Sequence, residues 1–159
     1  MRQGPQRYSS KILFWFFWLR LDTSFLKDLL EEFSLVIIKN GGIIFSSKNK
    51  SIRPILDAYI QLGDELNMAI IADRIIGKAA ALIICNTRPM LVYTLVMSKP
   101  ALEVFKAHGV RYQYEELVEN ILDKDGNICM FERLLATVSS PSLAVSLIKK
   151  KFGISNGDE

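Results

Sequence analysis

The sequence predicts an α/β domain, a three-layer α/β/α arrangement around a mixed sheet. Three observations carry that expectation. Two short apolar runs, Leu35–Ile38 and Ile43–Phe45, flank Asn40-Gly41-Gly42, which supplies the positive φ angles of a tight hairpin. Further on, strand-like and helix-like segments alternate, as strand–helix crossovers require. Between them lies Ala72–Ile84, rich in alanine and isoleucine, which reads as a small-residue helix at the centre of the domain.

Taken in order, residues 1–21 form an aromatic and basic extension, 22–152 a single domain and 153–159 a flexible tail. The extension holds Arg2, Arg7, Lys11 and Arg20 and no acid, so it carries +4 of a net +3, leaving −1 for the remainder. The domain therefore has no electrostatic case for nucleic acid. Within the extension, Ile12–Leu19 is an unbroken apolar run with both tryptophans. It is far shorter than the roughly 20 residues of a membrane-crossing helix, and no small-residue cleavage site follows it. Three uses remain open: an extra element packed on the core, an upstream extension that is poorly ordered or absent from the cellular protein, or an anchor for a membrane surface or a partner; a homo-oligomer is left open as well.

Asp22-Thr23-Ser24 offers N-caps to a helix through Phe25, Leu26, Leu29, Leu30 and Phe33. The hairpin follows, then a polar loop over 46–51. Pro54 suits the first turn of a helix that Gly63 helps end. Met68–Ile71 reads as a short strand. Asp73 is placed to cap the central helix, with Ile75, Ile76, Ala79, Leu82 and Ile83 at helical spacing. In that reading Gly77 lies in the helix interior, at a cost of about 1 kcal/mol relative to alanine. Arg74 and Lys78 then project from one face beside the helix start, where an anion is favoured.

Asn86–Met90 reads as a turn and Leu91–Met97 as a strand covered on both faces, since it barely alternates. Ser98 caps a helix with Pro100 in its first turn and Gly109 at its end. Val110–Tyr114 alternates as a strand with one wet face. Val118, Ile121 and Leu122 suggest a short helical piece, Asp123–Asn127 a turn, Cys129–Ala136 a helix, and Ser140-Pro141 the start of the last helix, which ends on Lys149, Lys150 and Lys151.

Chemistry-bearing motifs are sparse. Cys85 and Cys129 make no disulfide framework and fit a reducing cytoplasm. One histidine and two scattered cysteines give no zinc spacing, so neither a metal nor a cofactor is expected. Gly77-Lys78 is not a phosphate-binding Walker loop, because Ala79 stands where Ser or Thr would hold magnesium.

The chain resembles the family of bacterial and archaeal proteins grouped as domain of unknown function 1893. The resemblance rests on Ile71–Ala81, Ser98–Glu103, Tyr114–Val118 and Cys129–Glu132, and spans roughly residues 24–152. It implies a cytidine deaminase-like fold. In zinc deaminases two adjacent helix starts carry the metal ligands. Here those starts offer Ala72-Asp73-Arg74 and Ser98-Lys99-Pro100, with no thiolate or imidazole. Zinc-hydroxide chemistry thus has no apparatus. The resemblance instead implies a cleft bordered by Asp73, Arg74, Gly77, Lys78, Ser98 and Lys99, suited to a nucleotide-like or other small anionic ligand. Asp73 and Lys78, with Cys129 and Glu132 near a later helix start, are the catalytic candidates of a zinc-independent enzyme. The family's late motif has proline after the cysteine; Met130 stands there. Enzyme, binding domain and interaction module all remain open on these residues.

Overall fold

Asn40 and Gly41 have φ of 53° and 79°. Two consecutive left-handed residues make the tight turn that joins β1 (Leu35–Lys39) to β2 (Gly42–Ser47), paired antiparallel from Lys39↔Gly42 onward. The hairpin is as the sequence predicts. The computed structural model describes residues 22–155, so the aromatic run Ile12–Leu19 and the end of the tail lie outside the described residues.

The remaining elements, in chain order, are α1 (Ser24–Glu32, before the hairpin), α2 (Arg53–Leu62), a 3-10 turn (Gly63–Leu66), β3 (Ile70–Ile76), α3 (Lys78–Cys85), β4 (Leu91–Ser98), α4 (Lys99–His108), β5 (Tyr112–Val118), α5 (Met130–Leu134) and α6 (Pro141–Lys151). The sheet runs β2-β1-β3-β4-β5. β1 is antiparallel to both neighbours, and β3, β4 and β5 are parallel. This is a mixed sheet with helices on both faces.

On one face α1 lays Leu26 and Leu30 against Ala72 and Tyr93. The opposite face carries the larger core, where α3 is central. Every residue of α3 from Ala79 to Ile84 is buried, and α2, α4, α5 and α6 pack around it. The all-round apolar character of the alanine-isoleucine stretch is explained by this position.

Two expectations are corrected. The central helix does not start at Asp73. Ala72–Ile76 belong to β3, and the helix starts at Lys78 with Gly77 as its N-cap residue. Isoleucines at 70, 71, 75 and 76 favour a strand, and β3 gains ladder bonds on both edges from β1 and β4. Gly77 therefore escapes the helix-interior penalty. Val118 and Leu122 are not helical either. Val118 ends β5, and Leu122 bridges to Ile128 around the Asp123–Asn127 turn.

The parallel strands share an irregularity. Ile71 and Ile76, Val92 and Met97, and Tyr112 and Leu117 all pack with the larger core. Five is an odd spacing, whereas a regular strand returns to one face at even spacing. Between these residues, Ala72, Tyr93 and Leu95 pack on the α1 side. The alternation thus shifts by one residue near Ile75 and Val96. Two side chains brace the shift: Asp73 Oδ1 accepts from Ile75 N at 3.2 Å, and Thr94 Oγ1 donates to Val96 O at 3.0 Å.

Candidate functional site

β3 and β4 end side by side, with Ile76 in register with Met97. Each leads directly into a helix, β3 into α3 and β4 into α4. The two helix starts expected from the sequence are therefore neighbours. The residues at them are not arranged as expected.

At the α3 start the polar group is internal. Glu132, on α5, is only 7% exposed, and its Oε1 accepts from Ala79 N at 3.3 Å. A first-turn amide of α3 is thus satisfied by a carboxylate 53 residues away in the chain. Burial pushes the Glu132 carboxyl above the usual carboxylate range, against the opposing pull of the Ala79 and Lys78 amides and the Lys78 charge. Gly77 makes the approach possible. A Cβ there would press on Glu132 Oε1, 2.9 Å from Cδ and 3.1 Å from Ile121 Cγ1. The Lys78 Nζ donates to Ala136 O at 2.8 Å, so each side of this junction sends a polar group to the other.

At the α4 start, the buried Ser98 hydroxyl accepts from Ala101 N at 3.2 Å, the N-cap expected of it. Lys99 pairs with Glu119, both exposed.

Asp73 sits in β3 between Leu35 of β1 and Thr94 of β4. Burial pushes its carboxyl up to about 7, opposed by the amides of Ile75 and Arg74. It braces a strand instead of capping a helix. Arg74 points elsewhere, its Nε donating to Leu30 O at 2.6 Å and its Nη2 to Glu31 O at 2.8 Å. Those are carbonyls at the C-terminal end of α1, so Arg74 closes that helix. The expected shared face of Arg74 and Lys78 does not exist, because one lies in a strand and the other starts a helix.

Cys129 stands at the N-cap position of α5, partly buried, with its amide donating to Ile121 O at 2.9 Å and no capping bond from its side chain. Cys85 packs against the core, and burial pushes its thiol up to about 12. Arg53 is engaged by Asp57 at 2.7 Å and lies over the Phe152 ring.

The structure thus unites Gly77, Lys78, Glu132 and Ile121 at one junction, with Cys129 opening the helix that bears Glu132. It places Ser98 and Lys99 at the adjacent helix start and separates Arg74 from both. Two polar contacts were not foreseen. Tyr93, buried among Leu26, Leu30 and Ala72, donates its hydroxyl to Glu115 Oε1 at 2.7 Å. Glu132 was expected near the helix start of α5 and serves α3 instead; only the glycine before α3 hinted at close approach. A solvent-open hollow lined by Ser146, Leu147, Lys150, Gly153, Ile154 and Ser155 involves none of these residues.

Among the described residues, no group of three or more His, Cys, Asp or Glu is placed to hold a metal ion, and no helix is long and apolar enough to cross a membrane. A family model described as domain of unknown function (DUF1893) matches residues 25–152. The crystal structure of a DUF1893 family protein from Thermotoga maritima is similar, with a TM-score of 0.74 and 27% identity over 95% of this chain and 97% of that one. No curated protein matches the chain.

Proposed function

The chain belongs to the DUF1893 family, and from that premise we propose that it is a ligand-binding domain of deaminase-like architecture, taking a nucleotide-like ligand at the carboxyl ends of β3 and β4. The observation that carries the reading is the pairing of two parallel strand ends that lead into adjacent helix starts, Gly77-Lys78 and Ser98-Lys99. Adjacent helix starts set backbone amides and the positive ends of two helix dipoles side by side.

The residues narrow the ligand class. A bare phosphate is a poor match for the α3 start, because the Glu132 carboxylate already accepts from its first turn. A ligand with hydrogen-bond donors, such as a nucleobase, complements Glu132, while an anionic part suits Lys78 or Lys99. Both lysines have partners, Ala136 O and Glu119, that water or ligand can replace at the surface.

A second reading is a zinc-independent enzyme on the same fold. What favours it is that burial raises both the Glu132 carboxyl and that of Asp73, the latter to about 7, where general acid–base work is efficient.

The test is a thermal-shift and calorimetric titration of the folded protein with nucleoside monophosphates and the matching nucleosides. A ligand at about 100 times its Kd adds roughly 2.7 kcal/mol of stability. Binding is expected to weaken about five- to tenfold in Lys99→Ala, with the fold kept. Absence of any shift at millimolar concentrations of every compound would overturn the binding reading. Turnover of a bound nucleoside, lost in Glu132→Gln, would move the assignment to the enzyme.

A further inference from the structure

Between Val118 at the end of β5 and Pro141 at the start of α6, the chain forms one bridge and one five-residue helix. Its hydrogen bonds are largely its own. Asp123 N donates to Asn127 O at 2.7 Å, Cys129 N to Ile121 O at 2.9 Å and Arg133 N to Cys129 O at 3.1 Å. Asp123 Oδ1 accepts from the amides of Asp125 and Asn127, each at 2.9 Å. The segment leaves Leu122, Ile128, Met130 and Leu134 exposed, and its apolar anchor is Phe131 and Leu135 in the core with Cys129 and Val138 beside them.

Its polar attachments to the rest of the protein gather at the α3 and α4 starts, and its apolar ones are that anchor of Phe131, Leu135, Cys129 and Val138. Glu132 accepts from Ala79 N, Lys78 donates to Ala136 O, and Ile121 packs over Gly77. Phe131 stacks on Phe152 with ring centroids 5.5 Å apart, and Leu135 is fully buried. At the near end, Glu119 pairs with Lys99. A segment with its own hydrogen bonds and a small apolar anchor is the kind that opens as a unit below global unfolding.

We propose that residues 119–138 form a strap that closes over the start of α3 and opens as one unit, with Glu132 and Lys78 as its latch. The strap regulates access to the site proposed above, and it rests on that reading only for what opening would admit.

The latch responds to pH in a definite direction. α5 packs chiefly against α3, and its Phe131 stacks on Phe152 at the end of α6, whose ring Arg53 covers. The charged group that α3 turns to Glu132 is Lys78, and Gly77 and Ile121, beside the carboxylate, are uncharged. Lys78 and the amides favour the ionised carboxylate, but burial outweighs them, so the closed strap holds a proton on Glu132 more tightly than the open strap does. By linkage, protonation favours closure, and opening grows as pH rises through the Glu132 range.

The experiment is native-state hydrogen exchange on the full chain without ligand, corrected for intrinsic exchange, following the amides of Ala79, Cys129 and Arg133 with Val92 as the global reference. The strap amides are expected to share one opening equilibrium, at least tenfold more frequent than opening at Val92. That equilibrium should rise from pH 5 to pH 8, the direction that the raised Glu132 carboxyl requires by linkage. Glu132→Gln keeps an acceptor without charge, so it should hold the strap at its low-pH opening at every pH. Lys78→Met keeps the stem and loses the donor, so it should raise opening severalfold. Strap amides that exchange only with Val92, or a pH dependence retained in Glu132→Gln, would overturn the proposal. Neither result would bear on nucleotide binding, which is measured separately.

Discussion

The Glu132 carboxylate occupies the space that a side chain at position 77 would need. A Cβ on Gly77 would press on Oε1 and lie 2.9 Å from Cδ. The backbone at Gly77 is extended, with φ −95° and ψ −178°, so any residue could adopt it. The requirement for glycine is therefore one of space, imposed from 55 positions further along the chain.

Gly77→Ala is accordingly expected to lower stability by about 1–3 kcal/mol, the usual cost of overpacking a filled site. The check is urea unfolding of Gly77→Ala, Glu132→Ala and the double variant. In the double variant the clash is gone, so the two losses should add to less than their sum, with a coupling of at least about 0.5 kcal/mol. Additive losses would mean that the two residues do not compete for the same space.

Asp73 sets a second, pH-dependent expectation. Its carboxyl is pushed from 3.8 up to about 7 by burial, so between those values the native state holds a proton that the unfolded chain has released. Stability from this group is therefore present at low pH and falls as pH rises through that window. Asp73→Asn keeps an acceptor for Ile75 N and removes the charge. It should match the wild type near pH 4 and exceed it by up to roughly 4 kcal/mol at pH 8. Urea midpoints across pH 4–8 measure this, and a variant less stable at pH 8 would show that the ionised carboxylate is favoured where it sits.

Arg74 ties α1 to the sheet through Leu30 O and Glu31 O. The α1 face is a small core, Leu26 and Leu30 against Ala72 and Tyr93 with Ile38, Ile70 and Leu95 at its edge, so these two bonds matter to it. Arg74→Ala should cost on the order of 2 kcal/mol, the scale of hydrogen bonds to a charged donor. Arg74→Lys should recover only part, since an ammonium lacks the planar fork that reaches both carbonyls. Chemical denaturation gives the loss. Exchange rates in α1 should show that it falls there first.

Tyr93→Phe removes the hydroxyl that Glu115 accepts from while leaving the ring in place. Burial and the neighbouring Glu115 raise the tyrosine's pKa, so the phenol remains a donor throughout the accessible pH range. The expected loss is about 1 kcal/mol. Glu115→Gln should cost less than that, because Glu115 is well exposed and its ion pair with Lys27, at 3.8 Å, is solvent-screened.

Where local chemistry decides conformation, the sequence alone was sufficient. Asn40-Gly41 dictated the hairpin, because both residues reach positive φ at little cost. Ser98 and Ser140 dictated two helix starts, each accepting from an amide three residues on. Gly109, at φ 65°, dictated a helix end. These signals lie within a few residues of the bonds they make, and with the apolar patterning they determined a mixed-sheet α/β/α domain. Tertiary structure decided what depends on distant neighbours. Ile75, Ile76, Ala79, Leu82 and Ile83 suit a helix by spacing, yet Ile75 and Ile76 are strand residues because they pair with Val96 and Met97 of β4. Asp73 is thereby a strand brace and Arg74 a clasp on α1. The α3 start, an anion site when only its own residues are considered, already holds the chain's own carboxylate, because folding brings Glu132 to Gly77 and buries it there.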